Sequence, residues 1–177
     1  MPSAEDRPII IRKAIPADGP TILRLIKALA DYEKLTPPDD AAQHRLLADA
    51  FADHARFEVF LAEVKEDEPA LPAPTAVGYA IVFETYSSFL ALPTLYLEDI
   101  FVLEAYRKRR IGYALFRFCA KEAHRRGCGR MEWTVLDWNE PSIRFYKRQG
   151  AEHLAEWLHY RLTAKQLATL AADQEKR

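Results

Sequence analysis

Two adjacent carboxylates, Glu98 and Asp99, interrupt the otherwise apolar run TLYLEDIFVL at residues 94–103. An unpaired carboxylate among buried side chains is costly, so it must gain a cation or take up a proton, and a cationic amine would meet that need. Neighbours along a strand face opposite sides of a sheet unless a bulge re-aims one of them. The blander reading is that both pair with surface lysines or arginines at a strand end. Directly after this run comes YRKRRIGYAL, residues 106–115, in which Arg107, Lys108, Arg109 and Arg110 lead into Ile111, Gly112 and Tyr113. A strand that runs into a basic loop and a helix start gathers N–H groups, a partial positive dipole and guanidinium groups in one place, which suits a pyrophosphate. In VLDWNEPSIRFYKRQGA, residues 135–151, Asn139, Ser142 and Tyr146 fall at i, i+3 and i+7 and share a helix face, with Asn139 at the N-cap position. Together they can wall a cleft. A phenol ordinarily titrates near 10 and a thiol near 8.5, so Tyr146 is a proton donor suited to a departing thiolate. As an isolated residue it would read as ordinary amphipathic packing.

These residues need elements to hold them. Ile9 to Arg12 reads as a short strand, and Asp18 occupies an N-cap position ahead of Ile22, Leu25, Ile26 and Leu29 at helical spacing. LTPPDD breaks that helix, and a shorter one is expected from about Ala41 to Phe51. FEVFLAEV and AVGYAIVFETY read as two strands joined by a proline-rich and acidic hairpin loop, KEDEPALPAPT, before the strand that carries Glu98. A third helix with Ile111, Ala114, Leu115, Phe118 and Cys119 on one face ends at Gly127 and Gly129. MEWTVLD follows as a strand, and a last short helix runs from Glu140 to Gln149, stopped by Gly150. Strand and helix alternate in the second half, which implies parallel pairing there, whereas the first half offers a hairpin. The expectation is a mixed α/β (α+β) sheet in a single domain spanning 1–177.

Half of the 177 residues are apolar, enough for one well-buried core. With 25 basic and 26 acidic residues the net charge is −1, so the basic cluster at 107–110 is local and argues for a phosphate-bearing small molecule, with no nucleic-acid partner. No apolar run has transmembrane length, no secretory segment is visible, and Cys119 and Cys128 make no C-x-x-C pair. We expect a cytoplasmic protein with no membrane partner. The five histidines have neither H-x-x-x-H nor H-E-x-x-H spacing, so no metal is expected. Ser87 and Ser88 lack a G-x-S-x-G context for a nucleophile.

The pattern Arg107-Lys108-Arg109-Arg110-Ile111-Gly112 after a strand resembles the acetyl-CoA loop of the GCN5-related N-acetyltransferase (GNAT) family. IRKAIPADGPTILRLIKALADYEKL, LYLEDIFV and DWNEPSIRFYKRQGA are similar in order and spacing to its spermidine/spermine (diamine) and thialysine N-acetyltransferase branch, so the likeness covers nearly the whole chain. It implies a mostly antiparallel central sheet with a splayed parallel strand pair and flanking helices. It also implies acetyl-CoA as co-substrate and a small primary amine as acceptor, attacking the thioester directly in a ternary complex. By resemblance Tyr146 is the catalytic acid, and Glu98 holds the amine and deprotonates it through water. The backbone of Ile100, Phe101 and Val102 pairs with the pantetheine arm. The backbone from Lys108 to Tyr113 takes the pyrophosphate, with Arg107 and Arg109 as charge partners. Tyr32 and Glu33, with Asp99, contact substrate, and Glu132, Trp133 and Thr134 line the acceptor side. Arg110 stands where the family usually has the first glycine of the loop. A residue in helical φ/ψ at a helix start needs no glycine, and that is the conformation expected of Arg110.

Where the polyamine enzymes carry an aspartate and a tryptophan after the third strand, TYSSFLA has Ser87 and Phe89. That is closer to the thialysine-type members and favours a short aminoalkyl acceptor. The resemblance further implies a homodimer, and AEWLHYRL has more apolar surface than a lone edge strand should expose. Two alternatives stay open: acetylation of a protein lysine or N-terminus, and a non-catalytic acyl-CoA sensor.

Overall fold

The computed structural model describes residues 8–65 and 74–173. The proline-rich connection lies outside the described residues from 66 to 73. Five strands follow the order β1 (Ile9–Lys13), β2 (Glu58–Val64), β3 (Thr75–Ser87), β4 (Leu92–Val102) and β5 (Arg130–Glu132) across one sheet. The first four are antiparallel neighbours and β4 with β5 is a parallel pair. This is the expected mixed, mostly antiparallel sheet. The helices are α1 (Gly19–Glu33), α2 (Asp40–Phe51), α3 (Ile111–Arg125), α4 (Glu140–Arg148) and α5 (Ala164–Ala172). None is long and apolar enough to cross a membrane. The chain divides into two compact units, one through Thr134 and one from Val135.

In the first unit, α1 and α2 pack on one face of the sheet. Ile22 and Leu25 of α1 and Ala50 of α2 meet Val59, Leu61, Tyr79, Ile81 and Phe101. Phe60, which points the other way from Val59 and Leu61, stacks at 4.8 Å on Phe118 of α3. Helix α3 turns Ile111, Leu115, Phe116, Cys119 and Ala123 inward, as its apolar spacing requires. Its far end is pinned by Arg126, which pairs with Glu58 at 2.6 Å, Glu122 at 3.2 Å and Glu84 at 3.3 Å, tying helix to β2 and β3.

Three local expectations are corrected. Asp18 sits at the N-cap position of α1, but its carboxylate accepts from the Arg12 guanidinium (2.7 and 2.8 Å) and the Ile15 N–H (2.8 Å) and caps no helix N–H. A full guanidinium fork outcompetes a single amide donor. The strand expected over MEWTVLD is only Arg130–Glu132, because its register with β4 ends at Tyr96–Glu132. AEWLHYRL in the second unit forms no strand; Trp157, Leu158 and Tyr160 are exposed, and without a ladder partner an apolar pattern does not make one.

Candidate functional site

β4 is paired with β3 along its whole length, from Leu92–Ser87 to Val102–Gly78. On its other edge β5 pairs only with Thr94, Leu95 and Tyr96. From Leu97 to Val102 no strand among the described residues takes that edge. Ile100, Phe101 and Val102 therefore lie on an edge that no described strand covers, where the Val102 carbonyl is taken by a side chain of the following loop.

The ladder between β3 and β4 slips by one residue at Glu98: Asp99 pairs with Ile81, but Leu97 pairs with Val82. Glu98 is the extra residue of a β-bulge, and it is exposed. Ile81 and Val82 face opposite sides of the sheet, so the bulge puts Leu97 on one face and Asp99, two residues on, on the other. Asp99 shares its face with Tyr79 and Phe101. The Tyr79 hydroxyl donates to Asp99 Oδ2 at 3.1 Å, a diagonal cross-strand contact. Burial, with the charges of Glu98 and Glu33 adding to it, pushes the Asp99 carboxyl up to about 6 against the pull of the Tyr79 hydrogen bond. Glu33, half-buried in the last turn of α1, is likewise raised by burial. Glu98 and Glu33 thus both act on Asp99, and none of the three acids makes an ion pair among the described residues.

Beside them an aromatic shelf carries a cation. Tyr32 of α1 packs 6.3 Å from Phe101, and the Arg107 guanidinium lies 4.4 Å over the Tyr32 ring and 5.6 Å from that of Phe101. Arg107 also donates through Nε to the Val102 carbonyl at 3.1 Å, closing the end of β4 against the basic loop. The loop departs from expectation at Arg110, whose φ of 60° and ψ of 7° are left-handed, as is the φ of 64° at Lys108. A glycine would be favoured at both positions. Arg109 and Arg110 lie over Tyr106 and Tyr113, at 5.1 and 5.7 Å. The Ala114 N–H reaches back to the Arg110 carbonyl at 2.9 Å, so the N–H groups of Ile111, Gly112 and Tyr113 stand ahead of the helix ladder. Those donors, the helix dipole and the basic side chains fit a diphosphate.

Of the residues expected on the acceptor side, Glu132 pairs with Arg130 at 3.0 Å. Trp133 packs edge-on against Phe116 of α3 at 5.3 Å, and Thr134 is exposed beyond the strand. In the second unit, the buried Asn139 caps α4, its side chain accepting from the Ser142 N–H at 3.4 Å. Ser142 and Tyr146 are half-buried on the same helix, and Phe145 meets the Tyr146 ring at 5.4 Å. The helix closes as expected: Gly150 has a φ of 84°, its N–H bonds the Lys147 carbonyl, and the Ala151 N–H bonds that of Tyr146. Tyr79 escaped sequence reading. Its only signal is a hydroxyl in the apolar run VGYAIV.

Residues 23–151 match the acetyltransferase (GNAT) family. The chain belongs to that family and is an acetyltransferase. Among curated relatives, this GNAT protein is 34% identical over 166 residues to a thialysine N-epsilon-acetyltransferase of Bos taurus, covering 92% of this chain and 97% of that one. It is 32% identical to an L-ornithine N5-acetyltransferase of Arabidopsis thaliana, over 90% of this chain and 86% of the relative. Among solved structures, an integron cassette protein of Vibrio cholerae superposes with a TM-score of 0.75 at 23% identity, covering 93% and 98% of the two chains. That last likeness concerns the fold alone.

Proposed function

We propose that the protein transfers the acetyl group of acetyl-CoA to a small primary amine of the thialysine, diamine or polyamine type, by direct attack in a ternary complex. The observation that carries this reading is the bulge at Glu98, which sets two carboxylates, with Glu33, beside a strand edge that no described strand covers, with no cationic partner to any of them among the described residues. An ammonium group answers that charge, and an amide-bearing pantetheine arm answers the edge at Ile100, Phe101 and Val102. The relatives named for thialysine and ornithine support an amino-acid-like acceptor with a terminal amine.

In this mechanism the loop from Arg107 to Tyr113 holds the diphosphate, and Asn139 and Ser142 belong to the cofactor wall. Glu98, Asp99 and Glu33 hold the ammonium, with Tyr32 shaping the same face and Glu132, Trp133 and Thr134 bordering it. A carboxylate is a weak base for an amine that titrates near 10, so the proton leaves through water. The neutral nitrogen attacks the thioester carbonyl and forms the C–N bond. The tetrahedral intermediate then expels the thiolate, which takes a proton from Tyr146, while the proton lost by the acylated nitrogen passes through water and restores the phenol. Products are the acetamide and CoA. The whole chain acts as one N-acetyltransferase domain, in the cytoplasm, as a homodimer.

Thiol release from acetyl-CoA across thialysine, ornithine, lysine, diamines, polyamines and peptides tests the reading. Preference for a short aminoalkyl acceptor is expected, and activity confined to peptides would overturn it. Light scattering should give twice the 20.3 kDa chain mass; a value near 20.3 kDa at micromolar concentration would refute the dimer.

A further inference from the structure

Tyr79 has no exposed surface, and its ring is fixed among Ile22, Leu25 and Phe101, the last at 6.4 Å. A buried phenol needs a partner for its hydroxyl, and that partner is the Asp99 carboxylate at 3.1 Å. The titratable groups that act on Asp99 come from each neighbouring element: Glu98 on its own strand, Glu33 from α1, and Tyr79 from β3. The first two are acids. The nearby cation on the aromatic shelf, Arg107, is engaged by Tyr32, Phe101 and the Val102 carbonyl. Tyr79 is thus the neutral donor that favours an ionised Asp99 before any cation arrives.

We propose that Tyr79 is a positioning residue for the acceptor side: by donating from β3 it fixes the Asp99 carboxylate and sets the pH at which that carboxylate can receive the acceptor ammonium. The role in turnover rests on the acetyl-transfer reading above, while the link between the two side chains does not. Burial and two acidic neighbours raise the Asp99 carboxyl and Tyr79 opposes them, so loss of the hydroxyl must raise it further.

Tyr79→Phe keeps the ring and its packing and removes only the donor. A hydrogen bond to a charged group corresponds to about one to two pH units, so the acidic limb of kcat/KM for the amine should move up by that amount. At pH 6 the variant should be about 5- to 50-fold below the parent through KM and within about twofold of it by pH 8, with unchanged acetyl-CoA affinity. A carboxyl carbon-13 NMR titration of Asp99 in the protein alone should show the same upward shift. Coinciding pH profiles in parent and variant would overturn the role in the reaction. An unmoved Asp99 titration would overturn the link itself. A parent that acetylates no amine would count against the acetyl-transfer reading and leave the titration to decide Tyr79.

Discussion

Gly78 and Gly112 both approach the side chain of Val102, yet a methyl group at each would meet different surroundings. At Gly78 an added Cβ would stand 2.7 Å from the Phe101 carbonyl oxygen, 3.1 Å from Val102 Cγ2 and 3.3 Å from Leu115 Cδ1. The nearest of these is backbone, and Gly78 is itself paired with Val102 in the β3–β4 ladder, so nothing can rotate aside and β4 must move. Overpacking of this kind costs about 1–3 kcal/mol, or roughly 2–12 °C in Tm for a chain of this size. At Gly112 the Cβ would meet only Val102 Cγ2, at 3.8 Å, an ordinary contact. Gly112→Ala should therefore leave stability unchanged or raise it by up to about 1 kcal/mol, as a helical alanine does. No packing of the chain requires a glycine there. If the N–H of residue 112 lies against a diphosphate, the methyl group collides with ligand. The same 1–3 kcal/mol of overpacking then appears in binding, as an affinity for acetyl-CoA about 5–150-fold weaker. Urea unfolding and calorimetry with acetyl-CoA separate the two effects. Parental affinity in Gly112→Ala would refute the close approach of ligand to the helix start, and parental stability in Gly78→Ala would refute the steric argument for β3.

Tyr146→Phe should bind acetyl-CoA normally and turn over about 10 to 10⁴-fold more slowly, read by steady-state thiol release; parental rates from pH 6 to 9 would assign the tyrosine to packing. Asp99→Asn should change stability with a definite pH signature. The folded carboxyl titrates at about 6, above its ordinary 3.8, so the native state binds the extra proton and the parent loses stability as pH rises from about 4 to 6. After discounting for the part of the side chain that water still reaches, the asparagine variant should gain about 1 kcal/mol over the parent at pH 7 and nothing at pH 4 in urea titrations; an equal difference at both pH values would refute the charge-burial argument. Arg110→Gly relieves a left-handed arginine, which costs about 1–2 kcal/mol, against a comparable loss of unfolded-chain restriction. Its urea midpoint should match or exceed the parent's while acetyl-CoA binding loses part of its salt dependence, and a clearly lower midpoint would show that Arg110 is not strained.

Periodicity made the helices and long strands legible, because buried faces repeat at 3.6 or 2 residues whatever surrounds them. What it could not place were features decided by one residue's partner. Asp18 has the identity of a cap, but Arg12 lies six residues before it, ahead of the helix pattern, and only the folded chain turns its guanidinium to the carboxylate. Arg110 carries no mark of its left-handed backbone, since the requirement comes from joining the end of β4 to α3 over a loop whose length is fixed. The pair Glu98-Asp99 was visible as chemistry, yet its direction depends on a single slip of register. In an unbroken ladder Leu97 would share the face of Asp99 and pair with Phe83, and Glu98 would point with Val82 into the opposite core. Inserting Glu98 instead lets Leu97 and Leu95 bury on that opposite face, at 2% and 0% exposure, while Asp99 stays beside Tyr79. The bulge thus lets an apolar strand carry two carboxylates: the leucines before it fill one core, Glu98 at the bulge itself stays exposed, and Asp99 after it is kept out of that core beside the Tyr79 hydroxyl.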